Sequence, residues 1–190
     1  MPNVYVIKKF GPNPYPDAVE VDTTSHGSFK DLSPFYLPGG VHDGVNVVRF
    51  ENLWQYTKVY ADHVDGNDMP NAEYYAWRNA GWANNRAIRY PMGKGAKPMY
   101  SWWNGQCLTY VAARKAIYIP YYADAVIKTA SYAKLYGWLV AGHDIVLRDF
   151  DGYDYIRKGL TLQQVADDPY RSMGHAFVIA MLLTGSLVMA

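Results

Sequence analysis

The spacing of apolar and polar positions predicts several helices and a few short strands. Short β-branched stretches predict strands within residues 1–10, over 45–50 and over 144–150. Thr161 and Gln164 have the spacing of a capping box, which predicts one short helix. Longer helices are expected over residues 51–62, 71–88, 106–118, 121–139 and 170–183. These elements together predict a helix-dominated α+β fold.

Stretches rich in glycine and proline separate these elements. They lie in residues 11–44 and 90–105, and Pro120 is expected to divide two of the helices. There is no internal repeat and no linker, and a length of 190 residues suits one domain. We therefore predict an irregular lead-in with one strand over residues 1–28 and a single α+β domain over residues 29–190.

The cysteine and histidine content gives no sign of a metal site. A chain of this length buries about 70% of its unfolded surface, so it needs no disulfide or metal for stability. The one cysteine, Cys107, excludes an internal disulfide and a cysteine-only zinc cluster. The five histidines show no metal-ligand spacing. No metal and no cofactor are expected.

Both ends of the chain bear on its location. The first ten residues lack the charged and then apolar pattern of a signal peptide, so a cytoplasmic location is expected. Residues 173–190 reach the lower length limit of a membrane span, but Gly174, His175 and Thr184 interrupt them. This composition favours a buried helix, and no membrane partner is expected.

The net charge of +1 conceals a basic segment in the middle of the chain. Between Glu73 and Asp124 there is no acidic residue, and aromatic residues alternate with basic ones. Basic groups neutralise phosphates and aromatic faces stack bases, so one interpretation is a surface facing a nucleotide or nucleic acid. The other interpretation is a set of core aromatic rings with the stems of arginine and lysine packed across them.

The stretch F-E-N-L-W-Q-Y-T-K-V-Y, residues 50–60, carries the clearest candidate chemistry. On a helix, Glu51, Gln55 and Lys58 share one face with Trp54. The carboxylate could transfer a proton, and the amine could attack a sugar carbonyl if burial lowered its pKa. The alternative is an ordinary solvated helix face.

A second candidate follows the predicted strand over residues 144–150. Three carboxylates, those of Asp149, Asp151 and Asp154, lie where this strand ends. They could form the rim of a site, or they could cap backbone amides in a turn.

The order of these motifs resembles the NADAR family, which is associated with NAD and ADP-ribose metabolism. The resemblance covers roughly residues 29–183. Its motifs are L-S-P-F at residues 32–35, F-E-N-L-W-Q-Y-T-K at 50–58, Trp102-Trp103, R-K-A-I-Y with Lys115, and the closing M-G-H-A-F-V-I-A-M-L. The chain departs from the family pattern in three places: Asn52 replaces a histidine, the D-x-x-W-G turn has no tryptophan, and the closing helix lacks its arginine.

The resemblance implies a small α+β N-glycosidase, of phage or bacterial source, that cleaves a bond between a ribose-type sugar and a base or amine. It implies Glu51 as acid and base, and Lys58 as the amine that forms a Schiff base with the opened ribose. Asp151 is the third expected catalytic residue, holding sugar hydroxyls, with Gln55 among the substrate-binding residues. The remaining expected substrate-binding residues are Trp102 or Trp103 for the base, Arg89 for a phosphate, and Asp149 and Asp154 beside Asp151.

The implied substrate is a nucleotide or an ADP-ribosylated base, either free or within nucleic acid. Two other function classes remain open at this point. One is a nucleotide- or nucleic-acid-binding protein that has kept the fold and lost the chemistry. The other is a structural protein whose tyrosines and apolar C-terminal residues form an oligomer interface.

Overall fold

A parallel sheet joins strands from opposite ends of the chain. The computed structural model describes residues 2–189. The sheet has the order β1 (Val4–Lys8), β8 (Ile145–Asp149) and β2 (Val19–Asp22). The I-V-L stretch at the start of β8 is fully buried, which suits a strand covered on both faces. Because the strands are parallel, their carboxyl ends meet at one edge, which Asp149 and Asp22 occupy.

The predicted lead-in is part of this sheet. Residues 1–28 carry two strands, β1 and β2, where one was predicted. β2 has four residues, V-E-V-D, between turn-forming stretches, so its local signal is weak. Its pairing with β8 supplies the backbone hydrogen bonds that hold it extended.

Two smaller antiparallel sheets complete the strands. One is the hairpin of β3 (Gly40–His42) and β4 (Val45–Val47). The other contains β5 (Lys58–Val59), β6 (Tyr100–Trp103) and β7 (Gln106–Leu108). β3 and β6 lie in stretches predicted to be irregular, and β7 begins where a helix was predicted. Such short strands depend on their pairing partners, and in the second sheet β5 pairs with β6 about 40 residues further along the chain.

The helices confirm the mixed α+β class, although several bounds differ from those predicted. They are α1 (Phe50–Tyr56), α2 (Ala72–Ala83), α3 (Tyr110–Ala113), α4 (Ile119–Val126), α5 (Ala130–Val140), α6 (Leu162–Asp167) and α7 (His175–Leu183). α1 ends at Tyr56, so Lys58 belongs to β5 and not to the helix. The predicted capping box is confirmed, since the Gln164 amide donates to Thr161 Oγ1 and the Thr161 amide donates to Gln164 Oε1.

Pro120 does not separate two helices. α3 continues through a π-helical segment, Arg114–Tyr118, directly into α4, and the helix ends only at Val126. Pro120 comes directly after the π-helical segment, so the missing amide hydrogen of the proline falls where the regular hydrogen-bond pattern of the helix already changes. The helical rod therefore runs through the proline.

The last helix is buried, as predicted, but it starts later than expected. α7 begins at His175 after the N-cap Gly174, and all of its residues except Leu182 are buried. Within residues 2–189, no helix has the length and apolar character needed to cross a membrane.

Backbone contacts fix the start of α1, which carries Glu51. The amide of Phe50 donates to Leu37 O at 2.8 Å, and the amide of Glu51 donates to Pro34 O at 2.9 Å. These bonds use amides that a helix leaves unpaired in its first turn. They hold Glu51 against the loop that contains the L-S-P-F motif.

The other side of α1 packs closely against α2 at Gly81. A Cβ atom at this position would lie 2.0 Å from the Tyr56 ring. We expect Gly81→Ala to lower the free energy of unfolding by about 1–3 kcal/mol, because overpacking outweighs the better helix propensity of alanine. Chemical denaturation measures this change.

Gly137 in α5 provides the matched control. It is exposed, and a Cβ atom there would meet nothing within 4 Å. Gly137→Ala should raise the free energy of unfolding by about 0.5–1 kcal/mol. Equal effects of the two substitutions would contradict the close packing of α1 on α2.

Candidate active site

A cavity that brings several of the candidate residues together lies at the carboxyl edge of the parallel sheet, between α1 and the start of α7. Its volume is about 520 Å³. Loops at residues 24–26, 33–35, 89–90 and 172–174 complete its walls. The sequence-predicted residues that line it are Glu51, Gln55, Lys58, Arg89, Asp149 and Asp151.

One wall carries a chain of hydrogen bonds between three side chains. Lys58 Nζ donates to Gln55 Oε1 at 2.7 Å, and Gln55 Nε2 donates to Glu51 Oε1 at 2.8 Å. Glu51 and Gln55 lie one turn apart on α1, whereas Lys58 reaches Gln55 from β5. Lys58 Nζ also lies 5.1 Å from the centre of the Trp54 ring. The amide of Gln55 therefore fixes both the carboxylate and the amine.

Burial shifts the pKa values of Glu51 and Lys58, the two groups at the ends of this hydrogen-bond chain. Glu51 is 6% exposed, and burial raises the pKa of its carboxyl, opposed by the Gln55 hydrogen bond and the positive charges of Lys58 and Arg89. Burial lowers the pKa of Lys58 to about 8, with Arg89 acting in the same direction and Glu51 against it. At pH 7 roughly a tenth of Lys58 is then neutral and nucleophilic.

The side chain of Asp149 stabilises the fold around the cavity. Its Oδ2 accepts the amide of Ala176 at 3.1 Å and lies 3.1 Å from His175 Nδ1, and its Oδ1 accepts the amide of Asp151 at 3.3 Å. Gly174 makes room for it, since a Cβ atom there would lie 2.1 Å from Asp149 Oδ2. Both oxygens of Asp149 are therefore used by the protein itself.

The other nitrogen of His175 faces Thr23. His175 Nε2 lies 2.9 Å from both Thr23 O and Thr23 Oγ1, and that hydroxyl donates to Arg148 O. Nε2 must therefore carry a hydrogen, and Nδ1 faces a carboxylate. The contact between His175 and Asp149 thus links the residue after β2 with β8 and α7.

Asp151 is the more open carboxylate of the strand end. Its Oδ2 contacts Arg89 Nη2 at 3.3 Å, and its side chain is 38% exposed. Burial, together with the negative charge of Asp149, raises the pKa of Asp151, and Arg89 opposes this shift. Asp151 can thus accept a hydrogen bond from a ligand hydroxyl.

The structure does not bring Asp154, Trp102 or Trp103 into this cavity. Asp154 accepts a hydrogen bond from the Tyr15 hydroxyl at 2.7 Å and one from the Arg157 amide, so it stabilises the turn after β8. Trp102 and Trp103 lie on β6 and line a separate cavity of about 250 Å³, where the Trp103 ring is 5.1 Å from His42.

Other aromatic rings line the cavity instead, and of these the helix pattern placed Trp54 beside the candidate residues. These rings are Phe35, Trp54, Tyr90, Tyr110, Tyr118 and Phe150. They come from separate segments, so no spacing along the chain brings them together. The L-S-P-F and F-E-N-L-W motifs were the only local signals, for Phe35 and Trp54.

Arg114, and not Lys115, reaches the cavity from the R-K-A-I-Y motif. Lys115 forms an ion pair with Asp167, outside the cavity. The Arg114 guanidinium is buried and donates to four backbone carbonyls, those of Val165, Ala166, Asp168 and Arg171. These bonds hold the end of α6 and the segment that follows it, which leads into the cavity wall at Ser172–Gly174.

Asn52 holds the loop that presents Arg89. Its side chain is fully buried, and Nδ2 donates to Asn84 O and Arg86 O, while Oδ1 accepts the Ile88 amide. This uses both donors and one acceptor of a single side chain. Asn52 is also the position at which the sequence departs from the histidine of the family pattern.

Comparison of the chain with protein-family models, with curated proteins and with solved structures gives no match. Among residues 2–189, no three histidine, cysteine, aspartate or glutamate side chains converge on a common point in a way that could hold a metal ion.

The shifted pKa predicts selective labelling of Lys58. With formaldehyde and cyanoborohydride, the labelling rate of Lys58 should be half-maximal near pH 8, as followed by peptide mass spectrometry. The exposed Lys94 and Lys97 serve as internal controls. Glu51→Gln should shift the midpoint to lower pH and Arg89→Gln to higher pH, because these charges act in opposite directions on Lys58. A midpoint that neither substitution moves would contradict the electrostatic coupling.

The contacts of Asn52 predict how its loop responds to mutation. Asn52→Asp removes two donors and places a carboxylate against two carbonyl oxygens. Hydrogen exchange at the Ile88 amide should accelerate on the order of tenfold or more. Asn67→Asp is the control, because this side chain is exposed and donates to no backbone carbonyl within residues 2–189. Unchanged exchange at residues 84–90 in Asn52→Asp would refute the assignment.

Proposed function

We propose that this chain is a remote relative of the NADAR N-glycosidases and hydrolyses the bond between a ribose-type sugar and a base. The observation that carries the proposal is the buried Glu51–Gln55–Lys58 hydrogen-bond chain on the wall of the cavity. It joins a carboxyl group with a raised pKa to an amine with a lowered one. Such paired shifts in a cleft are typical of acid and nucleophile roles.

The first step is attack of neutral Lys58 Nζ on the anomeric carbon. A bond forms between Nζ and this carbon, and the bond to the base breaks with its electron pair leaving on the base nitrogen. Glu51 in its protonated form gives its proton to that nitrogen. Its raised pKa favours the protonated form more than in an exposed glutamate.

The second step regenerates the amine. Glu51, now ionised, takes a proton from Nζ and passes it to the ring oxygen as the ring opens, which leaves a protonated imine on Lys58. Water adds to the imine, and the free sugar and the amine are released. The net reaction consumes one water and yields the sugar and the base.

The rest of the cavity suits the binding of such a substrate. Asp151 accepts a sugar hydroxyl, and the positive charge of Arg89 attracts a phosphate. Trp54, Tyr90 and Phe150 offer aromatic surface to a base. A volume of about 520 Å³ lies within the usual range for small-molecule sites.

Base release from ADP-ribosylated guanine, NAD-type nucleotides and other ADP-ribose-linked bases tests the proposal. We expect Glu51→Gln and Lys58→Ala to lower the rate by roughly 10²–10⁴, as measured by mass spectrometry of the free base. Cyanoborohydride should trap the sugar covalently on Lys58 of the wild type and not on Lys58→Ala.

Lys115→Ala is the matched control, since Lys115 lies outside the cavity in an ion pair with Asp167. It should retain both release and trapping. Equal loss in Lys115→Ala, or full release by Lys58→Ala, would refute the assigned roles. Stoichiometric binding of the intact substrate by the wild type without release would instead support the non-catalytic binding protein.

A further inference from the structure

Tyr118 presents a hydroxyl group to the cavity that the fold itself does not use. The side chain lines the cavity and is 7% exposed. Its ring is held between Phe50 at 5.4 Å and Trp54 at 5.1 Å, measured between ring centres. Among residues 2–189, no side-chain or backbone group is hydrogen-bonded to its hydroxyl.

The neighbouring Tyr122 shows the usual arrangement. It lies one helical turn further along, with its ring parallel to that of Tyr118 at 6.1 Å. Its buried hydroxyl donates to Leu32 O at 2.5 Å. The Tyr118 hydroxyl has no such protein partner in the described part of the chain and is accessible from the cavity, so it is free to pair with whatever occupies the cavity.

The groups around Tyr118 indicate the chemistry of that partner. The nearby carboxylates of Glu51, Asp149 and Asp151 disfavour an anion such as phosphate at this end of the cavity. Glu51 Oε2 accepts no hydrogen bond within residues 2–189, because Gln55 binds only Oε1. A neutral hydroxyl group of a ligand can accept from Tyr118 and donate to such an oxygen.

We propose that the Tyr118 hydroxyl binds a sugar hydroxyl of the substrate and so selects polyhydroxylated ligands at this end of the cavity. The inference rests on the proposed function and assigns a substrate-binding residue to it. Burial and the surrounding carboxylates raise the pKa of the phenol well above its usual value, so the group keeps its proton and donates.

Two tyrosine-to-phenylalanine variants separate a ligand role from a structural one. Tyr118→Phe keeps the ring packing and removes a hydroxyl with no protein partner, so its melting temperature should equal or exceed that of the wild type. Tyr122→Phe leaves Leu32 O unpaired and should melt roughly 2–10 °C lower. Differential scanning calorimetry of the full chain without ligand measures both.

Calorimetric titration with ADP-ribose and with ADP provides the second readout. Tyr118→Phe should weaken ADP-ribose binding by roughly threefold to tenfold and leave ADP binding within about twofold, because ADP lacks the terminal ribose. Tyr122→Phe should leave both affinities within about twofold of the wild type.

The outcomes distinguish failure of this inference from failure of the proposed function. A loss of melting temperature in Tyr118→Phe as large as that in Tyr122→Phe would make the hydroxyl structural and overturn the inference. So would unchanged ADP-ribose affinity in Tyr118→Phe while the wild type binds. If the wild type does not bind ADP-ribose, both the inference and the proposed substrate class are overturned.

Discussion

The cavity depends on the hydrogen bonds that one carboxylate, that of Asp149, accepts at the end of β8. This side chain receives the first turn of α7, the ring of His175 and the amide that begins the following turn. Through His175 it also reaches Thr23, which follows β2. Without this carboxylate, the helix start, the sheet edge and the turn carrying Asp151 would have no common anchor. Gly174 is required for the same reason, because any side chain there would displace the carboxylate.

Charge balance in the cavity follows from this arrangement. Three carboxylates, those of Glu51, Asp149 and Asp151, lie near the positive groups of Lys58 and Arg89 and near the ring of His175. Asp149 uses both of its oxygens in contacts within the protein. Burial raises the pKa of Glu51 and lowers the pKa of Lys58, so these two groups shift in opposite directions. The fold thereby uses one carboxylate for structure and leaves another facing the cavity.

The sequence predicted part of this arrangement for sound physical reasons. Glu51 and Gln55 are four residues apart, and an α-helix brings such pairs together. Lys58 was expected on the same helix face, but the helix stops at Tyr56 and β5 returns the amine to Gln55 by a different path. The sequence predicted a candidate cluster at Asp149 and Asp151 because both carboxylates lie where a predicted strand ends. Asp149, and not Asp151, binds the start of α7. The local sequence pattern does not predict this contact.

Most of the wrong predictions share one cause, which is that strand pairing between distant parts of the chain positions the residues concerned. Trp102 and Trp103 were assigned to the base because tryptophan in a basic segment suits stacking, yet β6 is placed by its partners and faces another cavity. β2 and β3 were missed because strands of three or four residues are stabilised mainly by their neighbours. The π-helical segment, which contains both Arg114 and Lys115, was not predicted either.

The order β1, β8, β2 also has a consequence for how the molecule is made. The middle strand is the last of the three to leave the ribosome, and it pairs with residues about 140 positions earlier, as in Val4 with Ile145. Until then β1 and β2 have no partner between them, and their exposed edges are open to pairing with other chains. Contacts of such sequence separation slow folding, because a long loop must close before they form. The cavity at the strand ends is consequently among the last features of the nascent chain to be assembled.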